Sequence, residues 1–270
     1  MRWIAGDGVE LAVLDEGDGQ PVLLIHGFPD SHRLWRHQMR ALSAAGMRAI
    51  APDMRGFGES GRPDAVSDYG VWRSVADMIA VLDALEIERA HVVGHDWGGA
   101  VAWVLASYAP ERVERLVVLS VAHPMVFRDA SMEQREKSWY MLLFQFEGVA
   151  EELMQRDDWA LLRTWLRGNG DVERYIADLS RPGALTAALN WYRASSHPRS
   201  ELGERRDLPP VQAPTMGIWS TGDDYLLETM PESAEYVAAP FRYERIEGAS
   251  HWIQLDAPDR LNELLVEFLT

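Results

Sequence analysis

At 270 residues, the chain has the length of one globular domain with an insertion, or of a large domain joined to a small one. Its formal net charge of −16 argues against a nucleic-acid partner and an anionic membrane surface, because both require a positive protein surface. Cysteine is absent, which excludes disulfides and thiol nucleophiles, and no leader peptide or membrane-spanning run is recognised, so a cytoplasmic protein is expected.

Short apolar runs alternate with helix-length amphipathic segments in the first half of the chain. The runs are 22–25, 48–51, 91–93 and 116–119, and the segments between them are 34–45, 71–85 and 98–108. Each run ends in turn residues, which is typical of strands buried on both faces of a parallel sheet. The alternation predicts an α/β fold with a mostly parallel sheet flanked by helices.

The alternation stops between residues 125 and 210, where the pattern is helical only and rich in Trp, Tyr, Leu and Arg. Strand patterns return at Thr215–Ser220 and Phe241–Glu247, and a last amphipathic helix begins near residue 257. An all-helical insertion predicts a cap over the carboxyl ends of the strands, where open α/β sheets bind ligands. We therefore predict a core of residues 1–124 and 211–270 and a cap of residues 125–210.

The turn Gly94-His95-Asp96-Trp97-Gly98-Gly99 lies between the third run and a helix. It matches the nucleophile elbow of the α/β-hydrolase fold with Asp96 in place of serine. Small neighbours let strand and helix approach, and the helix N-terminus favours an anion. A carboxylate can displace a leaving group at sp³ carbon and form an alkyl ester, so we expect an epoxide or carbon–halogen substrate. The alternative is a glycine-rich turn in which Asp96 only caps the helix.

Hydrolysis of such an ester needs a base, and His251 follows the last strand pattern just before the final helix. The order nucleophile, acid, histidine is that of the hydrolase fold, although a lone histidine is more often structural. Asp223 and Asp224 both follow the 215–220 run, and Asp223 is favoured because it comes directly after the Gly222 turn. Some related hydrolases place this acid where the chain has Ser120, which cannot stabilise an imidazolium.

The segment His26-Gly27-Phe28-Pro29 follows the first run. Its position suits a second oxyanion donor, the Phe28 backbone N–H, beside the Trp97 backbone N–H. Two amides aimed at one oxygen would stabilise the tetrahedral intermediate of ester hydrolysis. The alternative is an ordinary turn at the end of a strand.

Together these motifs resemble the soluble epoxide hydrolases over essentially the whole chain. Asn190-Trp191-Tyr192-Arg193 and the segment from Trp139-Tyr140 to Gln145 are similar to that family's lid motifs, whose tyrosines hydrogen-bond the epoxide oxygen. The resemblance implies that Tyr140 and Tyr192 donate protons to the opening ring. It also implies a small apolar epoxide and water as reactants, and neither a cofactor nor a metal; a homodimer stays open. The expected substrate pocket comprises Phe28, Pro29, Trp97, Trp139, Phe144, Trp191 and Trp252.

Three other interpretations share some of these residues. A haloalkane or haloacid dehalogenase would use the same Asp96, with Trp97 and Trp139 as halide donors, but haloalkane enzymes typically carry Asn where this chain has Phe28. Another small-molecule hydrolase, or a binding protein on the same fold, also stays open.

The sequence Gly56-x-Gly58-x-x-Gly61 matches a dinucleotide fingerprint, yet no apolar-faced helix follows it, so a structural turn is expected.

Overall fold

A single eight-stranded sheet forms the centre of the protein, seen in a computed structural model that describes residues 1–167, 171–195 and 207–270. The strand order is β1-β2-β4-β3-β5-β6-β7-β8. β1 and β2 pair antiparallel, as do β2 and β4, and every other pair is parallel. The strands are β1 Arg2–Ala5, β2 Glu10–Glu16, β3 Gln20–Ile25, β4 Met47–Pro52, β5 Ala90–His95, β6 Val113–Leu119, β7 Thr215–Ser220 and β8 Phe241–Ile246. The prediction of a mostly parallel α/β sheet is confirmed.

The antiparallel hairpin of β1 and β2 was not predicted from the sequence. A tight turn joins the two strands, with the Gly6 N–H donating to the Val9 carbonyl. β2 then buries Leu11, Ala12 and Val13 in succession, which extends the sheet beyond β4. The sequence pattern that would predict this hairpin is weak because β1 has only one buried residue, Ile4.

Helices flank the sheet in two groups and also form the segment between β6 and β7. α1 packs against α11, and α2 packs against α3. The backbone of α7 leaves the right-handed helical conformation at residues 156–159. The helices are α1 Arg36–Ala44, α2 Val71–Ala84, α3 Trp97–Tyr108, α4 Pro124–Arg128, α5 Met132–Lys137, α6 Trp139–Leu143, α7 Val149–Trp165, α8 Val172–Leu179, α9 Ala184–Ser195, α10 Ile253–Asp256 and α11 Pro258–Leu269.

The described part of the predicted cap contains α5 to α9 and most of α4, and no strand. Residues 168–170 and 196–206 of that segment lie outside the described residues, so the cap boundaries 125–210 stay a prediction. Throughout the described ranges, no helix has both the length and the apolar character that crossing a lipid bilayer demands. The turn at Gly56–Gly61 is followed by a short 3-10 segment and no long helix until α2, as expected for a structural turn.

Candidate active site

Asp96 stands in a tight turn between β5 and α3, with φ 53° and ψ −125°. The backbone approach in this turn is close enough to require glycine. A Cβ on Gly98 would lie 2.1 Å from the Ile25 carbonyl oxygen, and a Cβ on Gly27 would lie 2.3 Å from Asp96 Oδ1. The two glycines therefore bring the ends of β3 and β5 within reach of the Asp96 carboxylate.

Replacing Gly98 with Ala should disrupt this packing, because the added methyl group would collide with main-chain atoms that cannot rotate away. We expect the free energy of unfolding to fall by about 3 kcal/mol or more, measured by urea denaturation. Gly70→Ala is the matched control, since a Cβ there meets nothing within 4 Å and its φ is negative. Equal stability of the two variants would contradict the close approach.

The Asp96 carboxylate is held on one side by backbone amides. The Phe28 N–H donates to Asp96 Oδ1 at 2.8 Å, and the Trp97 N–H also bonds to the carboxylate. Burial acts to raise the pKa of Asp96, but the neighbouring His251 and the Trp97 amide outweigh it and hold the pKa below its usual value. Asp96 is therefore an anion at neutral pH, and its carboxylate is bonded to two backbone amides.

His251 lies on the other side of Asp96 and is backed by a second carboxylate. Its Nε2 is 3.6 Å from Asp96 Oδ2, and its Nδ1 donates to Asp223 Oδ2 at 2.8 Å. The other oxygen of Asp223 accepts the backbone N–H groups of Tyr225 and Leu226. Asp224 instead points outward and pairs with Arg167, so the structure brings Asp223, and not Asp224, to the histidine.

The backbone of His251 is fixed by side chains from the neighbouring strands. Its carbonyl oxygen accepts a hydrogen bond from His95 Nε2 at 2.9 Å and one from Ser120 Oγ at 3.2 Å. Ser220 Oγ likewise donates to the Ser250 carbonyl at 2.7 Å. Ser120, at the position where some hydrolases carry the acid, thus contacts the histidine's main chain rather than its ring.

Burial acts to lower the pKa of His251, but the charge and hydrogen bond of Asp223 and the charge of Asp96 outweigh it and raise the pKa to about 10. The imidazole is therefore protonated at neutral pH while Asp96 is ionised. Loss of the Asp96 charge on esterification would lower this pKa, so that the ring could release its proton and then act as a base toward water.

Stability should depend on pH through His251. Because its pKa is raised from 6.5 to about 10 on folding, the stabilisation is fully present below pH 6.5 and is lost as the pH rises through 10. We expect the free energy of unfolding of His251→Gln to fall less over this range than that of the unchanged protein, measured by urea denaturation. His37→Gln is the control, since burial and nearby arginines lower the pKa of His37. Parallel pH profiles for all three proteins would be inconsistent with a raised His251 pKa.

Two tyrosines of the helical segment approach Asp96 from the opposite direction. Tyr140 and Tyr192 are both buried, and their ring centroids are 6.0 Å apart. The Tyr192 ring packs on Trp97, the residue after Asp96, at 5.2 Å. Burial and the charge of Asp96 raise the pKa of both phenols well above the usual value, so both hydroxyls stay protonated. The site therefore combines an anionic carboxylate, a histidine hydrogen-bonded to a second carboxylate, and two protonated phenols.

Comparison with known proteins shows the family to which the chain belongs. The family described as the α/β-hydrolase fold matches residues 20–258. Epoxide hydrolase A of Mycobacterium tuberculosis is 32% identical, over 100% of this chain and 97% of that protein. The α/β-hydrolase superfamily protein YfhM of Bacillus subtilis is 34% identical over 99% of this chain and 97% of its own length. A crystal structure of the Bacillus megaterium epoxide hydrolase in complex with an inhibitor has a TM-score of 0.88 at 28% identity, covering 99% of both chains.

The chain belongs to the epoxide hydrolase family of the α/β-hydrolase superfamily. Membership favours the epoxide hydrolase interpretation of the Asp96 turn over the dehalogenase one, since two of the three relatives named above carry that name.

Several of the residues expected in the pocket of this epoxide hydrolase lie beside Tyr192 or His251. Phe28 and Phe144 are buried, and their rings contact Tyr192 at 5.5 and 4.9 Å. Pro29 is buried beside Phe28 in the same loop. Trp252 packs edge-on against His251 at 5.2 Å. These side chains form the apolar surroundings of the reacting groups.

Trp191 and Trp139 were both expected in the substrate pocket, but Trp191 lies behind its wall and Trp139 lies near the surface. Trp191 is fully buried behind Trp97, and its indole N–H donates to the Arg55 carbonyl, so it supports the pocket wall. Trp139 is 50% exposed, and its ring lies 6.5 Å from that of Tyr140. It precedes Tyr140 on α6, and neighbouring helix residues point about 100° apart, so an inward Tyr140 leaves Trp139 on the outside.

Three residues of the site surroundings were not identified from the sequence. Trp165 contacts Tyr140 and Phe28, with ring centroids 4.7 and 5.8 Å apart. Tyr225 packs on His251 at 5.3 Å. Asp30 is buried, accepts the indole N–H of Trp252 at 3.0 Å, and burial raises its pKa to about 7. A signal existed for Asp30, which directly follows the His26–Pro29 motif.

Proposed function

We propose that this epoxide hydrolase opens epoxides to vicinal diols through a covalent ester of Asp96, with no cofactor. The observation that carries the proposal is the position of the Asp96 carboxylate. The carboxylate is bonded to the Phe28 and Trp97 amides, and two buried, protonated tyrosines lie close enough for the charge of Asp96 to raise their pKa values. A nucleophile and acids for the leaving oxygen are therefore present together, as epoxide opening requires.

In the first step, Asp96 Oδ2 attacks an epoxide carbon and forms a C–O ester bond. The ring C–O bond breaks, and the alkoxide takes a proton from Tyr140 or Tyr192. The phenolate regains the proton that the His251 imidazolium releases when Asp96 loses its charge, so that His251 becomes neutral. Their raised pKa values keep the phenols protonated until that oxygen becomes strongly basic. The leaving oxygen stays attached to the substrate as the new hydroxyl group.

In the second step, water attacks the Asp96 carboxyl carbon rather than the substrate. His251 takes the proton of the water, and Asp223 stabilises the imidazolium that forms. The Phe28 and Trp97 amides stabilise the oxyanion of the tetrahedral intermediate. Its collapse breaks the bond between the carboxyl carbon and the ester oxygen, and the diol oxygen takes its proton from His251. The carboxylic acid left at Asp96 then gives its proton to the neutral imidazole, which restores the carboxylate and the imidazolium.

The origin of the oxygen atoms tests this route. With excess enzyme in ¹⁸O-labelled water, one turnover of styrene oxide should give unlabelled diol, and label should appear in the peptide that contains Asp96. Label in the diol from the first turnover, with none in Asp96, would show direct attack of water and overturn the covalent proposal.

Removing one phenol should slow the alkylation step. We expect Tyr192→Phe to lower the single-turnover rate of ester formation about 10²-fold, because one acid is lost while the ring packing is kept. Tyr69→Phe is the control, since Tyr69 is a buried tyrosine whose hydroxyl donates to the Pro63 carbonyl. Unchanged alkylation in Tyr192→Phe would remove this residue from the mechanism.

The remaining expectations from the sequence stay predictions. These are the location in the cytoplasm, the small apolar character of the epoxide and a homodimer. An assay that measures halide release from haloalkanes alongside diol formation from epoxides distinguishes the dehalogenase interpretation from the epoxide hydrolase one.

A further inference from the structure

A cavity of about 350 Å³ opens on the surface next to the catalytic pocket. Its wall includes Trp139, Trp165 and Tyr225, and charged side chains of both signs surround its opening. The volume lies at the lower end of the range of small-molecule sites. Neither the reacting groups nor the two-step mechanism accounts for this cavity.

One layer of rings, which includes the proposed proton donor Tyr140, lies between the cavity and the Tyr192 and His251 rings. We call Tyr140, Trp165 and Tyr225 the aromatic partition; their centroids are 4.7, 5.4 and 6.1 Å apart. On its inner side the partition contacts Tyr192 and His251. On its outer side Trp165 and Tyr225 line the cavity. Displacement of one ring would therefore join the catalytic pocket to the surface.

The three rings of the partition are not equally fixed. Tyr225 is held at both ends: its hydroxyl donates to the Trp165 carbonyl at 2.6 Å, and its backbone N–H donates to Asp223 at 2.8 Å. Its carbonyl also accepts the Gln134 side chain at 2.8 Å. Trp165 packs on the Phe28, Tyr140, Phe144 and Tyr225 rings, but it is only partly buried and is the last residue of α7. Its side chain is therefore the less tightly held of the two rings that line the cavity.

The chemistry of the cavity indicates what would occupy it. Trp139 presents a half-exposed indole next to the partition, 6.5 Å from the Tyr140 ring. Aromatic faces favour a flat aromatic partner. The opening is crossed by an exposed ion pair between Arg167 and Asp224, and exposed pairs of this kind are weak and easily opened. An uncharged aryl group fits this mixture better than an anion or a cation.

We propose that an aryl substituent of the epoxide passes between Trp165 and Tyr225 and stacks on Trp139 in the surface cavity. The inference rests on the proposed epoxide hydrolase function and specifies its substrate class as extended aryl epoxides. It gives Trp139 a role outside the catalytic pocket, and it makes Trp165 the residue that limits substituent length.

Product diols test the cavity without turnover, since a diol cannot alkylate Asp96. The two probes are 1-phenylethane-1,2-diol and its para-phenyl derivative, which differ by one ring. We expect the second ring to tighten binding at least tenfold, measured by calorimetry, and Trp139→Ala to remove most of that gain. The control is Trp72→Ala, because Trp72 is 54% exposed and packs on Tyr108, outside the site. No gain from the second ring, or a gain that survives Trp139→Ala, overturns the inference.

Turnover of the matching epoxides tests Trp165. We expect Trp165→Ala to raise the ratio of kcat/KM for the para-phenyl epoxide to that for styrene oxide at least fivefold, and Trp72→Ala to leave it unchanged. An unchanged ratio in Trp165→Ala would remove this residue as the limit on length. If the unchanged protein forms no diol from either epoxide, the proposed function fails, whereas the diol binding still decides whether the cavity holds an aryl ring.

Discussion

Asp96→Asn should abolish epoxide turnover, with kcat/KM lower by at least about 10⁴-fold, the scale of loss when a covalent nucleophile is removed. An amide carries no negative charge and forms no stable alkyl ester. Asparagine also tolerates positive φ, so the turn at φ 53° should keep its shape. The measurement is initial diol formation, with intact mass spectrometry showing that Asn is retained at position 96.

The matched control is Asp53→Asn. Asp53 is also a buried carboxylate, but it bonds to His32 and to the Glu59 backbone in a separate loop. We expect that variant to lose stability rather than the chemical step, so its activity per folded molecule should stay within a few-fold. Substantial turnover by a properly folded Asp96→Asn protein would refute Asp96 as the nucleophile.

His251→Gln should separate the two chemical steps. Asp96 keeps its amide donors and tyrosines in this variant, so ester formation should continue. Hydrolysis should slow roughly 10³-fold because no base activates the water. The expected result is one equivalent of epoxide consumed, little diol, and a protein heavier by the mass of one epoxide.

Two aspartates next to each other give this second prediction a control. Asp223→Asn removes the negative charge that is hydrogen-bonded to His251. This variant should also accumulate the ester, although less completely than His251→Gln. Asp224→Asn removes only an exposed partner of Arg167 and should turn over normally. If His251→Gln lost activity without any bound epoxide, His251 would act before the ester forms, and the assigned order of events would be wrong.

Local patterns were enough to predict the parallel part of the sheet and three side chains that the structure brings together. Strand ends, glycine turns and the spacing of the chain brought Asp96, His251 and Asp223 to one edge of a parallel sheet. Asp223 could be preferred over Asp224 because the Gly222 turn has a defined geometry: the Gly222 N–H donates to the Ala249 carbonyl, two residues before His251. Each of these signals lies within a few residues of the group it positions.

The pocket wall could not be predicted in the same way. Trp139 and Tyr140 are adjacent aromatic residues, so the sequence pattern does not distinguish them. Which of the two faces inward depends on how α6 packs on the core. Trp165 and Tyr225 meet across a separation of 60 residues, and only their packing places them beside the tyrosines. The short β1 was missed because a strand with one buried residue has almost no periodic signal.

The position of β8 at the edge of the sheet has a consequence for how the enzyme loses activity on warming. Asp96 follows β5, which has strands on both sides, whereas His251 follows β8, which pairs with β7 alone at the end of the strand order and is only half-buried. Edge elements open at lower free energy than central ones. On warming, we therefore expect molecules that can still alkylate themselves but cannot release the product, so that inactivation depends on the presence of substrate and precedes global unfolding.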